Sequence, residues 1–246
     1  EGHTDLIWKL ASIPDSDLFV TGSSDGGCRV WNVKDGGEVG KEMVHGERVH
    51  AIVVSRDGKT MASGGCDKIV VWSLESREKI VEWKASSSVW SLAMSQDSQT
   101  LVTGHSNGTV ILWNALTGGH IVGPFKLQDG GIRALSFSAD DSQIATGGLW
   151  SDYIRVMYSY SAEVPFPPFK AHNGWIQSLV WLPNGQLISA SFDGTIKYWD
   201  TSNAPLLIAT SQGHTGSVCT LAVSSDGKLL ASASHDGTAR LWNTST

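Results

Sequence analysis

A tryptophan that closes a short β-branched segment returns at nearly even intervals along the whole chain. CRVWN (28–32), IVVWS (69–73), VILWN (110–114), IKYWD (196–200) and ARLWN (239–243) end alike, and IRVMYS (154–159) has Met157 at the Trp place. The steps from Trp31 through Trp72, Trp113, Met157 and Trp199 to Trp242 are 41, 41, 44, 42 and 43 residues. A period of roughly forty residues marks a supersecondary unit that cannot cover its own apolar face, so neighbouring units must stack to bury it.

Within a unit the periodicity is that of strands. In the last one VCTLAVS (218–224), LLASAS (229–234) and TARLWN (238–243) are separated by the turns SDGK and HDG, which supply the Gly and Asp that tight turns require. EKIVEWK (78–84) and HIVGPFK (120–126) read as fourth strands, whereas EVPFPPFK (163–170) carries three Pro and predicts a poorly paired edge. No capped helical stretch is visible. The expected fold is therefore all-β, one domain over 1–246 with repeats at about 2–44, 45–84, 85–126, 127–170, 171–212 and 213–246. The last repeat shows no fourth strand, which fits either six blades with a three-stranded last one or an excerpt of a longer array.

Composition narrows the functions. Apolar residues make up 41%, with 27 Gly against 7 Pro, as in a globular chain with many turns. A net charge of −6 gives no broad field for phosphates, so nucleic acid is not expected as a partner. No apolar run reaches the ~20 residues of a membrane helix. Three Cys without framework spacing favour a reducing, cytoplasmic or nuclear setting. No metal site is expected, because His occurs about once per repeat and the Cys are unpaired in spacing. No cofactor is expected either. Gly58-Lys59-Thr60 echoes a phosphate loop, but Val53 stands where its first Gly belongs.

Gly2-His3, Ala171-His172 and Gly213-His214 open repeats, His45 opens another, and Trp199-Asp200 closes one. In these residues the chain resembles the WD40-repeat β-propeller family. The resemblance implies six four-stranded blades, each held by a His, Ser/Thr, Asp and Trp tetrad. Carried over, the tetrads are His3, Thr21, Asp25 and Trp31; His45, Ser63, Asp67 and Trp72; His172, Ser189, Asp193 and Trp199; and His214, Ser232, Asp236 and Trp242. Units three and four depart from the pattern, offering Ala85, Thr103, Asn107 and Trp113, and Gln128, Thr146, Asp152 and Met157. They are expected to be the softer blades.

Ser189, His172 and Asp193 would tempt a search for a hydrolase triad. Four recurrences of the same set point instead to structure, so no catalytic residue is assigned and no enzyme is expected. The resemblance further implies a contact face at the channel mouth, here Trp8, Arg48, His50, Trp90, Arg133, Trp175, Gln177, Phe192 and His235. Aromatic residues and Arg are the usual interface anchors. The expected role is a protein- or peptide-binding scaffold or sensor, with a place inside a larger multidomain regulatory protein as one option. The alternative is a lectin-like propeller that stacks sugars on exposed Trp.

Overall fold

The computed structural model describes residues 2–244. It contains six antiparallel sheets in chain order, five of four strands and a last one of three, which is the all-β, six-bladed propeller class. Among the described residues there is no helix, and so none long and apolar enough to cross a membrane.

The chain divides into two compact units, 1–125 and 126–246. In the first unit, blade 1 comprises Ile7–Ser12, Leu18–Ser23, Gly27–Asn32 and Met43–Val44. Blade 2 comprises Ala51–Val54, Thr60–Gly64, Lys68–Ser73 and Lys79–Lys84, and blade 3 Val89–Met94, Thr100–His105, Thr109–Asn114 and His120–Lys126. In the second unit, blade 4 comprises Ile132–Phe137, Gln143–Gly148, Ser151–Tyr158 and Phe169–Lys170. Blade 5 comprises Ile176–Trp181, Leu187–Ser191, Ile196–Asp200 and Leu206–Ser211, and blade 6 Val218–Val223, Leu229–Ser234 and Ala239–Asn243.

Blades 2, 3 and 5 bury both faces of their second and third strands, which explains why these segments read as near-continuous apolar runs. Between blades 1 and 2, Val20, Cys28 and Val30 meet Val49, Ile52 and Met61. Blade 5 packs on blade 6 in the same way, Ile188, Ile196 and Tyr198 meeting Val218, Leu221 and Leu230. The Pro-rich segment of blade 4 ends in a two-residue strand that pairs only Phe169 with Ile154 and Lys170 with Tyr153. Pro has no N–H to donate to a ladder, so pairing begins only after the last of them.

Candidate functional site: sealed tetrads and an exposed aromatic turn

Blades 1, 5 and 6 carry complete polar chains. The Trp31 indole donates to Thr21 Oγ1 at 2.7 Å, Thr21 Oγ1 lies 2.7 Å from His3 Nε2, and His3 Nδ1 lies 2.8 Å from Asp25 Oδ2. Blade 5 repeats this with Trp199 to Ser189 at 2.9 Å, Ser189 to His172 at 2.7 Å and His172 to Asp193 at 3.1 Å. In blade 6 the same steps are 2.8, 2.7 and 2.8 Å through Trp242, Ser232, His214 and Asp236. One polarity satisfies every group: indole N–H to hydroxyl, hydroxyl to imidazole, imidazole N–H to carboxylate.

Burial alone would raise the Asp193 carboxyl, yet hydrogen bonds from His172, the Asn173 backbone and Thr195 hold it well below the usual carboxylate range. Ser189 is fully buried and its hydroxyl lies under the Trp199 indole. A nucleophile must reach its substrate, so this Ser, His and Asp cannot work as a triad.

The remaining blades each break the pattern differently. In blade 2, His45 Nδ1 meets Ser63 Oγ at 2.8 Å and Trp72 donates to the same oxygen at 2.8 Å. Asp67, expected to complete that tetrad, is exposed and is not hydrogen-bonded to the imidazole, because the turn carrying it is one residue shorter than in blade 1. The buried Nε2 of His45 therefore has no partner, and burial pushes the imidazole down to about 4.

In blade 3 the missing opening imidazole is replaced from within the sheet. His105 Nε2 sits 2.8 Å from Thr103 Oγ1, which also accepts from Trp113 at 2.9 Å, and His105 Nδ1 lies 2.9 Å from the Ser87 carbonyl. Residues i and i+2 of a strand share a face, so a His two places after the Thr was a signal available in the sequence. In blade 4 nothing substitutes. Met157 cannot donate, the Thr146 hydroxyl is buried without a partner, and Asp152 pairs with Lys170 at 3.2 Å.

The residues expected to contact a partner fall into separate groups within the two units. In the first unit Trp8 is 42% exposed, donates to Ser24 Oγ at 2.6 Å and meets His50 edge-on at 5.7 Å. Arg48 is exposed, and Trp90 is half-buried. In the second unit Trp175 and Phe192 lie 5.4 Å apart, Gln177 is half-buried, and Arg133 and His235 are exposed.

Sequence reasoning left Trp150 outside the contact set, and the structure puts it beside Trp175 at 4.7 Å between ring centroids, 74% exposed. Its backbone is left-handed, φ +60°. Four other blades fill the left-handed place in the corresponding turn with Gly26, Gly108, Gly194 and Gly237. A bulky residue there carries strain of order 1 kcal/mol. The turn is clamped from behind: Leu149 N–H donates to the Gly131 carbonyl at 3.0 Å. A Cβ on Gly130 would overlap the Leu149 carbonyl, and one on Gly148 the Gly131 carbonyl. The one extra residue in the blade 4 turn thus has a definite product, an aromatic cluster of exposed Trp150 and Phe192 around half-buried Trp175.

Stacked blades with hydroxyl-centred polar chains define a propeller repeat protein whose recurring polar residues are structural. The model of the "WD domain, G-beta repeat" matches residues 1–32, 38–73, 77–114, 164–200 and 206–243, and the chain belongs to this WD40 family. The matches pass over residues 115–163, which include the first three strands of blade 4, the blade that lost its Trp. The chain is 26% identical over 237 residues to a ribosome biogenesis protein WDR12 homolog of Nematostella vectensis, covering 94% of the chain and 53% of that relative. A guanine nucleotide-binding protein subunit beta of Oryza sativa subsp. japonica is 23% identical over 252 residues, 94% of the chain and 66% of the subunit. Human apoptotic protease-activating factor 1 is 25% identical over 226 residues, 88% of the chain but 18% of that protein. The chain thus spans about half to two thirds of the first two relatives.

Proposed function

We propose that this chain is a non-catalytic protein- or peptide-binding module whose principal anchor is the Trp150, Trp175 and Phe192 cluster. The observation that carries the reading is the left-handed Trp150: a strained, exposed aromatic where other blades have Gly costs both stability and solubility, as binding surfaces do. Rigid aromatic anchors supply most of the energy of protein interfaces. Exposed Arg133 in the same unit gives a docked segment a charged contact, and Trp8 with His50 forms a second patch in the first unit. That one relative is named as a subunit, and that the chain matches only 18% of another, agrees with a recognition module inside a larger regulatory protein. An intracellular setting belongs to this reading, since Cys28, Cys66 and Cys219 are all free thiols.

Panning a random peptide library displayed on phage against the intact chain tests the reading. Enriched peptides should lose at least about 30-fold in affinity to a Trp150→Ala, Trp175→Ala double variant. Undiminished binding by the variant would overturn it. A glycan array run in parallel separates the stacking of sugars on Trp150 from peptide recognition.

A further inference from the structure

Four blades place a cation on the third strand opposite the hydroxyl of the second: Arg29 faces Thr21, Arg155 Thr146, Lys197 Ser189 and Arg240 Ser232. Three of the four are satisfied. Arg29 meets both oxygens of Glu38, at 3.0 and 2.9 Å, and reaches Glu42 at 3.2 Å. Lys197 donates to the Ala171 carbonyl at 2.7 Å, and Arg240 is exposed to water. Arg155 is half-buried and makes no ion pair among the described residues, and its side-chain partner is the neutral Gln128 Oε1 at a long 3.4 Å.

The Pro-rich segment of blade 4 explains the lack. Met43 pairs with Cys28 as Phe169 pairs with Ile154, so the places of Glu38 and Glu42 fall to Val164 and Pro168. Burial lowers the pKa of the Arg155 guanidinium, with no neighbouring carboxylate to offset it. Arg155 lines a cleft of about 450 Å³ together with Gln128, Trp150, Asp152 and Tyr153, all in the second unit. The carboxylates at this cleft already face cations, Asp152 with Lys170 at 3.2 Å and Asp129 with Lys126 at 3.9 Å. Arg155 is left as the unmatched charge among the described residues of the cleft. We infer that the cleft takes an anionic side chain of the peptide that docks on Trp150, held by the Arg155 guanidinium as Arg29 holds Glu38. This rests on the aromatic cluster as the peptide site and specifies the peptide, an apolar anchor beside an acidic residue. A carboxylate and a phosphate each offer two oxygens to a guanidinium fork.

Four pools of degenerate peptides, equal in length and fixed at the central residue as Glu, phosphoserine, Gln or Lys, test this by fluorescence anisotropy with the intact chain. The Glu or the phosphoserine pool should bind at least about 10-fold more tightly than the Gln pool, and the tighter of the two identifies the source of the anion. The Lys pool should bind most weakly. Arg155→Gln should bring the preferred pool down to the level of the Gln pool. If Arg155→Gln loses its far-ultraviolet circular dichroism, Arg155→Lys, which keeps the charge and removes the fork, should cut the preference at least about threefold. A preference that both Arg155 variants retain would overturn the inference. A Gln pool that loses affinity for the Trp150→Ala, Trp175→Ala variant, with no gain for either anionic pool, overturns the inference and leaves the aromatic cluster standing. A Gln pool that this variant binds undiminished overturns the cluster as the site, and the inference with it.

Discussion

Blades 4 and 5 lie in the same unit, share one strand plan and spend their turn between the second and third strands in opposite ways. Blade 5 closes that turn with Asp193 and Gly194 and ties it through His172 to Ser189 and Trp199. Blade 4 has no indole or imidazole to tie, leaves Thr146 unpaired and uses one extra residue to hold Trp150 in the open. The difference teaches that the tetrad is a stability device that fixes a turn. Where it is given up, backbone packing of Gly130, Gly131 and Gly148 holds the turn and frees it to carry a contact residue.

Breaking the sealed network should have the largest effect. Ser189→Ala leaves both the Trp199 N–H and the His172 Nε2 without a partner in a dry site, and two such orphans cost about 3 to 4 kcal/mol in urea unfolding. Blade 2 sharpens the point because its imidazole is already half orphaned. His45 ionises at about 4 when folded and near 6.5 when unfolded, so the unfolded chain binds more protons between those values. Stability is then fully present above about 6.5 and falls as the pH drops toward 4, by about 3 kcal/mol. The same titration of a His45→Gln variant should lack that slope and keep the carboxylate contribution, so the difference between the two curves isolates His45.

Smaller effects are expected in blade 4. Trp150→Gly relieves the left-handed strain and should raise stability by about 1 kcal/mol while weakening peptide capture, a trade-off that a stability scaffold would not show. Thr146→Val removes a hydroxyl that has no partner, and unfolding should shift by no more than about 0.5 kcal/mol in either direction. A loss in Thr146→Val as large as that in Ser189→Ala would erase the contrast between the blades.

Much of the fold was legible because its cause is periodic. The expected segments 229–234 and 120–126 coincide with the strands Leu229–Ser234 and His120–Lys126, and the missing fourth strand of the last blade is missing among the described residues. Strand patterning repeats with the backbone, so it survives in a linear reading. The polar chains were legible where spacing was regular, as at His3, His172 and His214. They were not where one residue more or less changed which side chain arrives. Asp67 falls short by a single place, and His105 comes from the strand and not from the loop before it.

By itself, then, the sequence determined the repeat, its strand content and the pairing of most hydroxyls with an indole, because these follow from local alternation and a fixed period. Only the tertiary structure decided that Trp150 turns outward onto Trp175 and that Thr146 stays unpaired. Each of those depends on what another segment of chain places within a few ångströms, and linear spacing carries no record of that.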